Sequence, residues 1–212
     1  MPENILKNTA GGDLSAIILA GGYSSRMQAF KPLLPLGGST VLENTVKVFR
    51  DSGIQDITVV TGYRAEELEA VLDRAGVLWV YNKDYSEGMY TSVVAGVRSL
   101  HGGSGGFFLL PADMPLVKRS TIRALREAQN RNTSHVIYPV HNGRRGHPPF
   151  IPASLFSDIL AWDGSGGLRA LLSRHQDRVI HVETGDEGIL TDIDTPEDYK
   201  RLRRMFEASG QD

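Results

Sequence analysis

The sequence predicts an α/β fold with a mostly parallel sheet that helices cover on both faces. Apolar runs of strand length alternate along the chain with segments whose apolar residues recur at helical spacing. That alternation is typical of strands joined by helical crossovers. We see no internal repeat and no linker among the 212 residues. A single domain over residues 14–208 is therefore expected, after a flexible N-terminus at residues 1–13.

In the first half of the chain, turn residues delimit each expected element. Ser39 or Thr40 can cap the first helix, because a hydroxyl accepts from the free N–H groups of a helix start, and the Ser52-Gly53 pair can end it. Two prolines and a Gly-Gly pair prevent regular helix over residues 32–38. The expected strands are 16–19, 57–60 and 77–81, and the expected helices are 41–51, 65–72 and 88–100.

The second half continues the alternation, with one interruption. A Gly- and Ser-rich stretch at 101–106 leads into a short strand that ends before Pro111. Residues 142–150 contain two prolines and two glycines and are expected to be irregular. Pro196 suits the first position of the last helix. The expected strands are 107–110, 136–140 and 179–182, and the expected helices are 121–129, 153–162, 168–173 and 196–206.

The turn after the first strand has the composition of a phosphate-binding loop. Small residues at 20–22 leave backbone N–H groups accessible, and the hydroxyls of Ser24 and Ser25 follow them. Arg26 and Lys31 supply two cations that could offset the charge of a polyphosphate. The alternative is an ordinary glycine turn with two solvated cations, since short glycine-rich loops are weak signals.

Several function classes are excluded by what the sequence lacks. There is no G-x-G-x-x-G fingerprint and no Gly-Lys-Ser or Gly-Lys-Thr, which argues against a nicotinamide cofactor and a P-loop. Without cysteine there is no disulfide, thiolate metal site or cysteine nucleophile. A net charge of −2 gives no basic field for nucleic acid or membrane, and a cytoplasmic protein is expected.

Three carboxylates are candidates for a metal site. Asp113 lies in a Pro-Ala-Asp-Met-Pro turn after a strand, where a stiff backbone suits a ligand of a hard cation, although it could equally cap the turn. Asp192 and Asp194 would share one side of an extended segment, and one of them is the candidate for a second metal contact. Helix capping accounts for Thr195 and Asp198.

Other polar groups are candidates for substrate contacts, each with a structural alternative. Asn82 and Ser92 could contact a base or ribose, or could serve a polar loop and a helix cap. Arg145 with its neighbour Arg144 could bind a phosphate or belong to a solvated loop, and His147 is more often structural. Arg169 follows a Gly-rich turn that could present a helix N-terminus to an anion.

Taken together, these segments resemble the molybdenum cofactor nucleotidyltransferases, the MobA-like NTP transferases that join a nucleotide to molybdopterin. The matching segments are LAGGYSSRM with Lys31, Asn82 with GMYTS, PADMP, GHP, DGSGGLR and DIDTPED, in this order over nearly the whole chain. GHP, PADMP and DIDTPED are similar to the cytidylyl branch, whereas Gly21 is similar to the guanylyl branch. Gln28 stands where the family usually has glycine.

The resemblance implies a Rossmann-like three-layer α/β/α sandwich of the nucleotide-diphospho-sugar transferase type. It implies that Gly21, Gly22, Arg26 and Lys31 bind the triphosphate and that Asp113, with Asp194 or Asp192, binds Mg²⁺. Arg26, Lys31 and Asp113 are the expected catalytic residues. The other expected nucleotide contacts are Leu19, Ala20, Asn82 and Ser92, and the expected acceptor contacts are Arg145, His147 and Arg169.

The activity expected from this resemblance is transfer of CMP from CTP to the terminal phosphate of molybdopterin, with release of pyrophosphate. Three alternatives stay open: transfer of GMP from GTP to the same cofactor, an NTP transferase with a sugar- or polyol-phosphate acceptor, and a non-catalytic nucleotide-binding chaperone of a molybdoenzyme. A molybdoenzyme is the expected partner for cofactor delivery. A monomer or weak homodimer is expected.

Overall fold

The computed structural model describes residues 13–23, 27 and 29–210, and in this part of the chain the main feature is an eight-stranded sheet. A separate two-stranded hairpin precedes the first helix. The strands are β1 (Leu14–Leu19), β2 (Pro35–Leu36), β3 (Ser39–Thr40), β4 (Asp56–Thr61), β5 (Leu78–Tyr81), β6 (Gly106–Pro111), β7 (Val136–His141), β8 (Arg144–Arg145), β9 (Phe150–Pro152) and β10 (Val179–Glu183). The helices are α1 (Val41–Arg50), α2 (Glu69–Ala75), α3 (Met89–Ser99), α4 (Arg119–Arg131), α5 (Phe156–Ala161), α6 (Gly167–Ser173) and α7 (Pro196–Ala208).

The sheet has the order β10-β7-β9-β6-β1-β4-β5, and β8 pairs with β7. β1 is an interior strand that runs parallel to both of its neighbours, β4 and β6, and β4 runs parallel to β5. β9 runs antiparallel to β6 and β7. The predicted mostly parallel sheet is therefore confirmed, and the carboxyl ends of β1, β4, β5 and β6 lie along one edge.

Helices cover both faces of this sheet, as expected for a three-layer α/β/α sandwich. Ile18 of β1 faces a core that α1, α2 and α4 complete. The next residue back, Ile17, faces the opposite core, which α3, α5 and α6 complete. Both isoleucines are fully buried, because successive strand residues point to opposite faces of a sheet that is covered on both sides. α7 packs with the β2–β3 hairpin in a third apolar cluster.

The segment expected to be irregular, 142–150, contains structure that the sequence did not reveal. β8 lies within it, and its last residue begins β9, which inserts between β6 and β7. The insertion needs room on β6: a Cβ on Gly106 would lie 2.5 Å from a ring carbon of Phe150 and 2.6 Å from the carbonyl oxygen of Ile151. A three-residue strand bounded by prolines carries too little local pattern to be recognised.

Two expected helices are shorter than predicted, because each begins as a 3₁₀ turn. Residues 65–67 and 153–155 form these turns, and α2 and α5 follow them. The segment before Asp192 is also a 3₁₀ turn, Glu187–Leu190, rather than an extended strand. The N-terminus expected to be flexible, residues 1–13, lies outside the described residues except for residue 13. No helix in the described part of the chain is long and apolar enough to cross a membrane.

Candidate functional site

The carboxyl ends of β1 and β6 open onto a cleft of 770 Å³. Ligands bind at this edge in open α/β sheets. The cleft extends from the glycine turn after β1 to the β8 hairpin, so it spans both halves of the sheet. The expected site residues that line it are Leu19, Ala20, Gly21, Gly22, Lys31, Ser92, Asp113, Arg145, His147, Asp192 and Asp194.

Some expected site residues are not among those lining the cleft. Asn82 lies behind it and Arg169 lies in α6. The expected phosphate and catalytic residue Arg26 lies outside the described residues, as do Ser24, Ser25 and Gln28.

The glycine turn packs its backbone against the end of β4. Tyr63 N donates to the Gly21 carbonyl at 3.3 Å, and a Cβ on Gly62 would come within 3.0 Å of Gly21 Cα. At Gly22 the surroundings are open, because no described atom lies within 4 Å of where a Cβ would stand. The turn is therefore anchored on its inner side and leaves its outer backbone accessible to a ligand.

Lys31 connects three segments of the chain that are far apart in the sequence. Its Nζ donates to Asp113 Oδ2 at 3.0 Å and to Asp194 Oδ1 at 2.9 Å. Burial alone would lower the pKa of Lys31, but the hydrogen bond to Asp194 and the charge of Asp113 raise the pKa above its usual value. Lys31 is therefore a permanent cation, and residues 31, 113 and 194 meet at one point.

The local folding around Asp113 explains why it lies at this point. Ala112 N donates to the Leu19 carbonyl at 3.0 Å, and the Thr45 hydroxyl donates to the Ala112 carbonyl at 2.9 Å. These bonds attach the turn after β6 to β1 and α1. Burial raises the pKa of Asp113, the charge of Lys31 opposes that rise, and the charge of Asp192 adds to it.

Asp194 and His147 are brought to the cleft by the chain segments around them. Thr195 caps α7 with Asp198, and Asp198 also accepts from the backbone N–H of Asp194 at 3.2 Å. His147 N donates to the Ile189 carbonyl at 2.9 Å. Gly146 packs against the same residue so closely that a Cβ would lie 2.4 Å from its carbonyl oxygen. The GHP and DID segments therefore form one wall of the cleft.

His147 is held as a neutral side chain. Burial lowers the pKa of His147, and the charge of Asp192 offsets part of that decrease. A neutral imidazole beside a carboxylate can donate or accept a hydrogen bond, but it adds no positive charge to the site.

The acidic side chains suit a hard cation. Carboxylate oxygens are the ligands that Mg²⁺ prefers, and it commonly takes one or two of them together with substrate phosphates and water. Asp113 and Asp194 already share one cation, the Lys31 ammonium. Among the described residues no three acidic or histidine side chains form a complete metal site. The donor set fits a metal whose remaining ligands come from a bound nucleotide.

Asn82 supports the cleft from behind. Its buried amide nitrogen donates to Thr91 Oγ1 at 2.8 Å and Ser92 Oγ at 2.9 Å, and its amide oxygen accepts from Asp84 N at 3.1 Å. Of the two expected contacts with base or ribose, only Ser92 reaches the cleft. The structural alternative describes Asn82 better, because its amide is occupied in holding the turn before α3.

An aromatic rim on the cleft was missed from the sequence. The Tyr23 and Tyr85 rings line the cleft with centroids 5.6 Å apart, and Tyr63 lies 5.1 Å from Tyr23. The available signal was the position of Tyr23 directly after the glycine turn. The contribution of Tyr85 depends on a 3₁₀ turn, Tyr85–Glu87, that periodicity does not reveal.

Comparison with known proteins matches the chain to one family model, and its relatives have names that describe different activities. The model of the MobA-like NTP transferase domain matches residues 16–179. The chain is 31% identical to the molybdenum cofactor cytidylyltransferase of Escherichia coli, over 91% of this chain and 97% of that one. It is 28% identical to the nicotine blue oxidoreductase of Paenarthrobacter nicotinovorans, over 89% and 96% of the two chains. It is 30% identical to a probable molybdenum cofactor guanylyltransferase of Bacillus mycoides, over 62% and 64%.

Solved structures share the fold. A nucleotidyl transferase from Methanothermobacter thermautotroptrophicus superposes with a TM-score of 0.80 at 30% identity, covering 94% of this chain and all of that one. A manganese complex of Rv0371C from Mycobacterium tuberculosis superposes with a TM-score of 0.75 at 24% identity, covering 92% and 99%. With the family model matching most of the chain, these likenesses show that the chain belongs to the MobA-like NTP transferases.

Proposed function

We propose that this protein transfers CMP from CTP to the terminal phosphate of molybdopterin and releases pyrophosphate. The observation that carries the proposal is the meeting of Lys31, Asp113 and Asp194 in a cleft that the glycine turn and the GHP segment also line. A nucleotidyl transfer needs these parts together: a polyphosphate loop, a cation, metal-binding carboxylates and an acceptor wall. The full-length similarity to a cytidylyltransferase supports the choice of reaction.

The nucleophile in this reaction needs no general base. A phosphate monoester has a second pKa near ~6, so at neutral pH the acceptor phosphate is already mostly a dianion. The protein's task is then to align it with the α-phosphorus of the nucleotide and to neutralise charge on the departing pyrophosphate. The neutral His147 is consistent with this, because a positioning contact is sufficient there.

Each half of the cleft takes one substrate in this proposal. Residues 19–22 and Ser92 contact the nucleotide, with Asn82 positioning Ser92 from behind. Arg26 and Lys31 stabilise the pyrophosphate. Asp113 with Asp194 or Asp192 would hold Mg²⁺, which supplies charge neutralisation across the α- and β-phosphates when it is bound. The proposed acceptor contacts in the cleft are Arg145 and His147, whereas Arg169 lies in α6 outside its lining.

A guanylyl transfer to the same cofactor is the second candidate. The specific observation in its favour is Gly21, which gives the turn the LAGG form of the guanylyl branch. Gly21 lies against Ser92, since a Cβ there would stand 3.5 Å from Ser92 Oγ. An alanine at position 21 would therefore be in van der Waals contact with Ser92, and we propose that this pair influences the base preference.

The test is pyrophosphate release from CTP, GTP, UTP and ATP in parallel, with Mg²⁺ and molybdopterin. Release with CTP supports the proposal, and release with GTP alone supports the second candidate. Release that requires a sugar or polyol phosphate in place of molybdopterin would contradict both. Tight nucleotide binding without release, whatever the acceptor, would identify a non-catalytic nucleotide-binding protein.

A further inference from the structure

Arg145 is held by two side chains on neighbouring strands. β7 and β10 run parallel with Tyr138 beside His181, and the two ring centroids are 6.4 Å apart. The Arg145 guanidinium lies over Tyr138, with Cζ 5.0 Å from the ring centroid. Its Nε donates to His181 Nε2 at 2.6 Å. A cation over a ring and a short hydrogen bond together fix both the plane and the rotation of the guanidinium.

This arrangement occupies only part of the guanidinium. The ring of Tyr138 covers one face and His181 takes the Nε–H, so neither uses the terminal nitrogens. Within the part of the chain that the structure describes, those terminal nitrogens donate no hydrogen bond to another residue. Arg145 is exposed and lines the cleft. A guanidinium held in this way presents its remaining N–H groups to a phosphate or carboxylate in a fixed geometry.

The hydrogen bond also determines the state of His181. Because Nε2 accepts from an arginine, it carries no proton, and His181 is neutral with its proton on Nδ1. Burial and the charge of Arg145 both lower the pKa of His181, which agrees with this assignment.

A second cation lies beside the same ring. Burial raises the pKa of Tyr138, while the charges of Arg145 and Arg169 each offset part of that rise. Arg169, in the first turn of α6, is therefore close enough to act on the phenol although it does not line the cleft. The charges of Arg145 and Arg169 therefore both act on the Tyr138 phenol, but only Arg145 lies over its ring and lines the cleft.

We propose that Tyr138 and His181 are positioning residues that hold Arg145 so that its terminal nitrogens bind the acceptor's phosphate. The inference rests on the proposed function, because it takes the acceptor to be a phosphate monoester. A phosphate has several oxygens that can accept hydrogen bonds from the planar fork of guanidinium N–H donors. A guanidinium that is already fixed in the right orientation binds it more tightly than one that rotates freely.

Steady-state kinetics test the role of Arg145. Replacing Arg145 by Gln should raise the KM for molybdopterin roughly 10- to 100-fold, as expected for the loss of hydrogen bonds to a charged group, while the KM for CTP stays unchanged. The matched control is Arg174→Gln, because Arg174 also lies over an aromatic ring, that of Trp162, but does not line the cleft. An equal rise in both KM values would contradict the assignment.

Paired substitutions separate positioning from general damage. His181→Leu should raise the KM for molybdopterin several-fold. His181→Gln should have a KM close to that of wild type, because a glutamine oxygen can accept a hydrogen bond from Arg145 Nε. Tyr138→Phe keeps the ring, so its KM for molybdopterin should match that of wild type. Tyr138→Leu removes the cation–π contact, so its KM should rise. Wild-type KM values in both leucine variants would overturn the positioning role.

A binding experiment distinguishes failure of this inference from failure of the proposed function. We would saturate the nucleotide end with α,β-methylene-CTP and Mg²⁺, add inorganic phosphate, and follow the ¹⁵N signal of Arg145 Nε–H. A shift that His181→Leu weakens supports the anion site even if molybdopterin is not the acceptor. Normal turnover with molybdopterin but no phosphate-dependent shift would reject the site and leave the proposed function standing.

Discussion

At the scale of single residues, the Lys31 and Asp113 side chains hold each other in position by an ion pair. Only 14% of the Lys31 side chain and 19% of the Asp113 side chain are exposed, and their contact of 3.0 Å holds both in the cleft. In the proposed reaction one stabilises the leaving pyrophosphate and the other holds the metal. Because this charge neutralisation is needed in the transition state, its loss should reduce the rate more than it weakens substrate binding.

We predict that Lys31→Ala and Asp113→Ala each lower kcat by about 10²–10³-fold, the range found when one donor to transition-state charge is removed. Thermal unfolding followed by circular dichroism should show a folded protein in both cases. Lys47→Ala serves as the control, because Lys47 is an exposed residue of α1 outside the cleft. Near-wild-type turnover in either variant would refute its assigned role.

The Lys31 ammonium should also weaken metal binding when no nucleotide is present. It lies between Asp113 and Asp194, where a divalent ion would need the same oxygens. A metal must therefore compete with this cation until a triphosphate draws Lys31 away. We predict that Lys31→Met binds Mn²⁺ at least several-fold more tightly than wild type in the absence of CTP. Titration of free Mn²⁺ by electron paramagnetic resonance measures this, with Lys47→Met as control, and equal affinities would exclude the competition.

At the scale of elements, the start of α1 shows what local sequence can specify. Thr40 and Glu43 form a reciprocal capping box, and Glu43 also accepts from the Ser39 hydroxyl. Burial alone would raise the pKa of Glu43, but the hydrogen bonds from Thr40 and Ser39 lower it below its usual value of 4.5. The sequence offered Ser39 or Thr40 as the cap, and the structure shows that it is Thr40; the reciprocal bond from Glu43 was not predicted.

The lowered pKa of Glu43 makes its contribution depend on pH. A carboxyl whose pKa is lower in the folded state than in the unfolded state stabilises the fold above the unfolded value and loses this effect as the pH falls through the folded one. Wild type should therefore be more stable than Glu43→Gln at pH 7, and the difference should shrink below pH 4.5. Urea unfolding over that pH range measures it. Glu127→Gln, on the exposed face of α4, is the matched control.

β9 shows why other elements escape prediction. It is three residues long, and its position depends on contacts with β6, more than forty residues earlier in the chain. The same holds in the site. Asp113 was recognisable as a carboxylate after a strand and Asp194 as one of two carboxylates before the last helix, but the sequence did not show that both contact Lys31. Tyr138 and His181 became candidates only when the register of β7 and β10 was known.

Gly106 is the residue that lets β9 enter the sheet. Its φ of +150° and the lack of space beside it both exclude a side chain. Gly106→Ala should therefore destabilise the protein by about 2 kcal/mol or more, from backbone strain together with steric overlap. Gly102→Ala is the matched control, since a Cβ there meets no atom within 4 Å. Urea unfolding compares the two, and equal midpoints would show that β9 tolerates the change.

At the scale of the whole molecule, the cleft extends from the carboxyl ends of β1 and β6 to the β8 hairpin. In the proposed function, the nucleotide binds at the half formed by β1, β4 and β5, and the acceptor binds at the half formed by β7 and β8. CTP with Mg²⁺ at about 100 times its Kd should stabilise the native state by about 2.7 kcal/mol, which for a domain of this size raises Tm by roughly 5–10 °C. Lys31→Ala should lose most of this rise, because Lys31 belongs to the nucleotide half. Arg145→Gln should keep it, since Arg145 belongs to the acceptor half. Differential scanning calorimetry with and without CTP measures both, and loss of the rise in Arg145→Gln would mean that the two halves do not bind their substrates separately.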